Sequence, residues 1–295
     1  MSEAGLGTAI VCAAILEHGR TIKLRVGCEF GYDVEAPTPA TIQVRPRFDP
    51  DHRLVSESWS TSQSLTLDEF TDIYGNSIKR LLMQPGDLVL RYDAVVEVPD
   101  EWDEINPNAN ETAVEDLPGE LLHYTLPSRY CPSYELMETA WELFGQTPRG
   151  WARVQAICDW VNGHITFRYG ASHPLTTAAD VFAKREGVCR DFAHLGVTFC
   201  RAMNIPARYV FGYIPHIGEG IPVSPDPMDF CAWMEVWLDG RWWTFDPRNN
   251  RLRTGRVLIG QGRDALDVAM LTTYGPANFR SMVVWADRTK PGEAA

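Results

Sequence analysis

The hydrophobic period of this chain switches from strand-like to helical near Pro132, and few folds accommodate such a change. Upstream, the runs Ile22–Phe30, Thr41–Phe48 and Leu88–Val98 alternate apolar and polar residues, as half-buried strands do. Turn signals at Tyr74-Gly75-Asn76 and Pro85-Gly86-Asp87 separate them. Residues 21–98 therefore read as an N-terminal antiparallel β domain, sandwich-like in character. Downstream the pattern becomes helical. Tyr134–Phe144 is one candidate helix, and Trp151, Val154, Ile157, Cys158 and Val161 form an apolar stripe on a second. Thr177-Ala-Ala-Asp180 resembles a capping box opening a short helix that Gly187 would end. A longer helix runs from Val188 to about Asn204, where Ile205-Pro206 stops it. Strands follow at Arg208–Ile214, Phe230–Leu238 and Arg241–Asp246. No fixed-period repeat appears. Helices first and antiparallel strands afterwards predict an α+β domain over residues 129–290, not a doubly wound sheet.

Between these two regions, residues 99–128 carry eight acidic side chains from Asp100 to Glu120 and no Lys or Arg. The stretch lacks the Asp-x-Asp-x-Asp-Gly pattern of a calcium loop and reads as a solvated acidic linker. The whole chain has 27 Lys and Arg against 39 Asp and Glu, a net charge of −12. That charge argues against nucleic acid and against an anionic membrane surface as partners. The apolar run Thr8–Leu16 is far too short to span a bilayer, and the preceding Glu3 has the wrong sign for a signal peptide. Seven widely spaced cysteines without a Cys-x-x-Cys pair fit neither a disulfide framework nor a zinc ribbon, so reduced, cytoplasmic thiols are expected.

One of those thiols stands out by position. On the helix beginning at Val188, Phe192, Leu195, Gly196, Phe199, Cys200 and Met203 fall on the same face as Cys189 at ~100° per residue. Cys189 thus lies in the first turn, where unpaired N–H groups and the helix dipole favour a thiolate and can receive an oxyanion. A buried cysteine on an apolar face is also ordinary core, and position alone does not separate the two readings. His194 lies about 140° away on the same helix. It is expected to be structural.

Asp239-Gly240, flanked by strand-like runs, signals a two-residue hairpin turn. The implied register pairs Leu238 with Arg241, Trp237 with Trp242, Glu235 with Thr244 and Trp233 with Asp246. One face then carries Cys231, Trp233 and Asp246, with Cys231 and Asp246 as diagonal neighbours. A Trp-rich packing surface with Asp246 holding a turn is the plainer alternative.

Glu186-Gly-Val-Cys189-Arg-Asp-Phe-Ala-His, Asn204-Ile-Pro-Ala-Arg-Tyr-Val-Phe-Gly-Tyr213, Asp229-Phe-Cys-Ala-Trp-Met-Glu-Val and Arg241-Trp-Trp-Thr-Phe-Asp-Pro247 occur in that order. Together, over roughly residues 150–250, they resemble the core of the transglutaminase-like superfamily of bacterial cysteine peptidases and amidases. Residues 21–98 are loosely similar to the N-terminal region of its bacterial members. The resemblance implies a papain-like α+β core, no cofactor, and a Cys-His-Asp triad acting through a thioester. Cys189 would be the nucleophile and Asp246 the orienting carboxylate. The family's Asp-Phe-His-Ala-Trp motif reads Asp229-Phe230-Cys231-Ala232-Trp233 here, so Cys231 occupies the histidine position.

That departure leaves four readings open. The first is a cysteine hydrolase or acyltransferase of modified chemistry, acting on a peptide, amide or other small carbonyl substrate. The second is a non-catalytic descendant that binds a peptide or amide. The third is a Cys189/Cys231 redox pair, and the fourth a metal site built on the two thiols. The first is carried forward, with Cys189, Cys231 and Asp246 as catalytic candidates and no metal. Trp233, Tyr213 and Arg248 are the candidate substrate contacts. Arg248 opens a run continued by Arg251, Arg253, Arg256 and Arg263, with no acidic residue between Asp246 and Asp264. The run either positions an anionic substrate or pairs with the acidic stretch. Gly260-Gln-Gly262 lacks the context of a dinucleotide fingerprint and reads as a turn.

Overall fold

Strands β1 (Thr21–Val34), β2 (Thr38–Ile42), β3 (Arg53–Thr61), β4 (Asp68–Thr71), β5 (Ser77–Met83) and β6 (Gly86–Pro99) come first. Next are helices α1 (Met137–Phe144) and α2 (Trp151–His164), strand β7 (Thr166–Phe167), helix α3 (Ala178–Lys184), strand β8 (Glu186–Gly187) and helix α4 (Cys189–Ala202). Strands β9 (Ala207–Tyr213), β10 (Cys231–Leu238), β11 (Arg241–Phe245), β12 (Val257–Gly262), β13 (Leu271–Thr273) and β14 (Ala277–Arg288) follow. These elements come from a computed structural model that describes residues 20–47, 52–218 and 227–289. The run Thr8–Leu16 lies outside the described residues. Among the described residues, no helix is long and apolar enough to cross a membrane. The architecture is α+β, with three antiparallel sheets.

The first sheet has the order β14-β1-β6-β3 and the second β13-β2-β5-β4. In β1, Ile22, Leu24, Val26, Cys28 and Phe30 all turn inward, which is the two-residue period seen in the sequence. They share one core with Ile42 of β2, Met83 of β5 and Leu90 of β6. The third sheet, β11-β10-β9-β12, contributes Phe211, Tyr213 and Ile259 to that same core.

The helices build a second core. Val154 and Ile157 of α2, with Leu195 and Phe199 of α4, pack against Met234, Val236 and Phe245 of the third sheet. Helix α4 is buried on nearly every side, so its polar residues must find partners inside the protein. Arg201 does so fully, donating to the carbonyls of Ala207 and Arg263 and to Ser128 Oγ. Ala193 belongs to the first core while Phe192 belongs to the second. The N-terminus of α4 therefore sits where the two cores meet.

Two expectations about domain organisation are overturned. Strand β14 pairs along β1 from Leu24↔Arg288 to Val34↔Ala277, and β13 pairs with β2. The last strands therefore belong to the N-terminal β region, and a boundary enclosing 129–290 as one domain cuts through two ladders. Nor is the acidic stretch a solvated linker. Trp102 bridges to Thr254, and Leu117, Leu121 and Tyr124 form a small cluster with Tyr74, Trp237 and Trp242. The Glu111 side chain, only 4% exposed, holds Arg149 and the equally buried Arg153. Its charge is matched by the exposed Arg149 and the buried Arg153, neither of which sequence spacing could pair with it.

Local signals fared better. Thr177 and Asp180 form the expected reciprocal cap, although Arg185 at φ 59°, not Gly187, ends α3. The hairpin register is the expected one, Leu238↔Arg241 to Glu235↔Thr244, with Asp239 and Gly240 both at positive φ (51° and 80°).

Candidate active site

Cys189 is the first residue of α4. Its position is fixed by Asp191, a fully buried carboxylate that turns back to accept the Val188 N–H at 2.9 Å. Ser172 Oγ and the Arg190 guanidinium hold the other oxygen of Asp191. Gly187 makes room for this return, since a Cβ there would stand 2.8 Å from Asp191 Cβ. The Cys189 sulfur lies 3.7 Å from the carbonyl of Phe230, just before β10 begins. Burial pushes the Cys189 thiol up. Arg248 pulls it back down, Asp229 pushes it up, and the backbone N–H groups of Ala232 and Arg190 favour the thiolate.

Cys231 is the first residue of β10, with its sulfur 3.8 Å from the carbonyl of Asp229. Burial, and then the neighbouring Cys189, push its thiol up to about 12, against the pull of Arg248. Asp246 and Asp229 add to the rise, so Cys231 lies electrostatically between the nucleophile candidate and the two carboxylates. Both thiols are half-buried and unpaired, and the four buried cysteines among the described residues are unpaired as well. Among the described residues, no three His, Cys, Asp or Glu side chains converge in a way that could hold a metal ion.

Asp246 follows directly on β11 and is buried. Its Oδ1 accepts the Asn249 N–H at 2.9 Å, and its Oδ2 accepts Asn249 Nδ2 at 2.8 Å and Arg256 Nη2 at 3.1 Å. Arg256 also donates to both oxygens of Asp103, at 2.9 and 3.0 Å, and lies 5.1 Å from the Trp233 ring. Trp233, a β10 residue only 2% exposed, packs with Val210 and Ile214 beneath this ion-pair chain and, against expectation, has no face open to a substrate. Tyr213 is not beside the thiols' open side. Its ring is fully buried in the first core, and its hydroxyl donates to the Val44 carbonyl. In this structure Tyr213 packs, and substrate contact is withdrawn for it.

His194 is structural in geometry, as its helix phase implied. It is stacked on Tyr130 at 5.2 Å, with Nε2 accepting the Ala265 N–H at 3.1 Å. Burial drives its basicity well below that of an ordinary imidazole. Two carboxylates near the site, Asp229 and Asp103, were not singled out from sequence. Asp229 carries a carboxyl raised by burial, and its signal was its place at the head of the Asp-Phe-Cys-Ala-Trp motif. Pairing of the arginine run with the acidic stretch was one of the two readings of that run, but the particular partners Asp103 and Arg256 were not legible because they meet across 153 positions.

A family model described as the transglutaminase-like superfamily matches residues 139–247, a span containing Cys189, Cys231 and Asp246. A crystal structure of a Cytophaga hutchinsonii protein, provisionally named a cysteine protease, superposes with a TM-score of 0.83 at 30% identity. That likeness covers 94% of this chain and 93% of the other. The chain belongs to the transglutaminase-like superfamily. An uncharacterized Mycobacterium leprae protein is 26% identical over 263 residues, covering 84% of this chain and 91% of its own length. A Mycobacterium tuberculosis protein, also uncharacterized, is 37% identical over 129 residues, 41% of this chain and 40% of that one. Cys231 feels the charges of both Cys189 and Asp246, so α4 and the third sheet place these three residues near one another.

Proposed function

We propose that this protein is a cysteine hydrolase or acyltransferase that forms a thioester between Cys189 and the acyl group of an amide or peptide. The observation that carries this reading is the seat of Cys189. It is the first residue of a capped, buried helix, with its sulfur at the mouth of β10 beside residue 231. A thiol in that position meets N–H groups that stabilise a thiolate and an oxyanion.

In the acylation step the Cys189 sulfur adds to the carbonyl carbon and its proton leaves. Cys231, held as a thiol by its raised pKa of about 12, is a proton donor and not an acceptor at neutral pH. Asp229, a carboxyl made more basic by burial and close enough to raise Cys189, is the acceptor. The tetrahedral intermediate then collapses, the carbon–nitrogen bond breaks, and the leaving amine takes a proton from the cluster. Water or a second amine releases the acyl group from sulfur. Asp246, locked by Asn249 and Arg256, supplies fixed charge behind Cys231.

One observation favours a second reading, a binding protein without turnover: burial makes both thiols poor thiolates. Acyl trapping separates the two. The protein is mixed with a small p-nitrophenyl ester or p-nitroanilide, quenched in acid and digested for peptide mass. An acyl adduct on Cys189, absent in Cys189→Ala, supports the enzyme. Unmodified Cys189 under conditions that release no nitrophenol or nitroaniline supports the binding protein.

A further inference from the structure

Most of the arginine run is already committed. Arg256 is shared by Asp103 and Asp246, and Arg263 is held by Asp267. The Arg253 guanidinium donates to the Pro215 carbonyl while its backbone N–H is taken by Asp103. Of these partners only Asp103 belongs to the acidic stretch, so that alternative holds for Arg256 and the Arg253 backbone. Arg248 and the exposed Arg251 are different, since neither forms an ion pair with a carboxylate among the described residues. Only Arg248 stands at the site.

Its position is built by the fold. The guanidinium carbon lies 3.9 Å over the ring of Phe167. Phe167, in β7, pairs in parallel register with Gly187 of β8, two residues before Cys189. The ring also neighbours Phe192 in the first turns of α4, with centroids 6.4 Å apart. On the other side, Asn162 Nδ2 clamps the backbone carbonyls of Pro247 at 3.2 Å and Arg248 at 2.7 Å. The cation is therefore stacked, half-buried and anchored at the nucleophile end of α4, two residues beyond Asp246. Asp229 is near enough for the Arg248 charge to lower its carboxyl, yet the two form no ion pair. Stacking leaves the edge of a guanidinium free to grip a carboxylate through two parallel N–H bonds. In a chain of net charge −12, a half-buried arginine without a carboxylate beside a nucleophile needs a reason.

We propose that Arg248 reads a carboxylate on the substrate, so that the acyl donor is an anionic amide or peptide whose free carboxylate lies a few atoms from the scissile carbonyl. This rests on the reading of Cys189 as nucleophile and adds the substrate class to it. The carboxylate docks on the edge of the guanidinium while Phe167 holds its face. The carbonyl is then presented to Cys189.

Two alkylating probes of similar size test this. Iodoacetate carries a carboxylate and iodoacetamide does not, so the ratio of their rates at Cys189 cancels the thiolate fraction that both require. Arg248→Gln is expected to lower the iodoacetate-to-iodoacetamide ratio about tenfold, and Arg248→Lys to retain much of it. A second readout is independent of thiol chemistry. Millimolar succinate should raise the Tm of the native protein more than succinamide does, and Arg248→Gln should abolish the difference. Equal ratios in native and Arg248→Gln protein, with no carboxylate-specific Tm shift, would overturn the anion site. A Cys189 inert to both probes with the Arg248-dependent Tm shift intact would overturn the nucleophile and leave the anion site standing.

Discussion

Where the resemblance implies an imidazole, this chain has Cys231, a group of very different proton affinity. With its thiol held near 12, it gives a proton more readily than it takes one. Asp246 uses three of a carboxylate's roughly four acceptor positions, on Asn249 and Arg256, so one remains for an imidazole N–H. Cys231→His is therefore expected to rebuild a Cys-His-Asp arrangement at an overpacking cost of about 1–3 kcal/mol. It should shift Cys189 alkylation to lower pH, because a base with a pKa of about 6.5 now faces the thiol. Cys231→Ala should fold and lose most turnover of an ester or amide substrate; unchanged turnover would make that thiol a bystander. Asp229 gives a sharper split. Its charge raises Cys189, so Asp229→Asn should move the alkylation pH profile of Cys189 to lower pH. If Asp229 also accepts the proton, the same variant should acylate more slowly. Faster alkylation with slower turnover is the expected pair, and faster turnover would remove Asp229 from the proton path.

Helix α4 shows at the scale of an element why some of this was visible in advance. Its apolar phase, its start at Cys189 and its stop before Pro206 are set by residues within a few positions of one another. The β10–β11 register was likewise fixed by Asp239-Gly240 alone. The cap was not foreseen. Asp191 and Gly187 act as one unit, the glycine vacating the space the carboxylate fills, and nothing in the pattern marks that pairing. Asp191→Ala removes the acceptor of Val188 and leaves Arg190 without its carboxylate. A loss of about 2 kcal/mol is expected, read as a lowered urea midpoint, together with slower alkylation of Cys189 as the first turn frays. A midpoint equal to the native one would mean the helix start is held by packing alone.

Across the whole molecule, what the sequence concealed is long-range. The return of β14 to β1 and the seating of the acidic stretch depend on partners far apart in the chain. An acidic, Pro- and Asn-containing segment looks solvated until the buried arginines that receive it are known. Through Asp103 and Arg256 that segment reaches Asp246, so its attachment bears on the site as well as on stability. Its other anchor is the Glu111–Arg153 pair, with side chains 4% and 6% exposed. Glu111→Ala strands a buried guanidinium and should cost about 3–5 kcal/mol, seen as a depressed Tm. A Tm within a degree or two of native would show that the segment is only loosely attached.

Whether Cys189 is the working nucleophile is read by following every cysteine at once. The native protein is exposed to limiting iodoacetamide near neutral pH, and each cysteine peptide is quantified by mass over time. Among the six cysteines of the described residues, Cys189 is expected to be modified first, Cys231 to follow slowly, and the buried Cys28, Cys131, Cys158 and Cys200 to react only on unfolding. Rapid modification at another of these six while Cys189 stays untouched would remove Cys189 as the nucleophile.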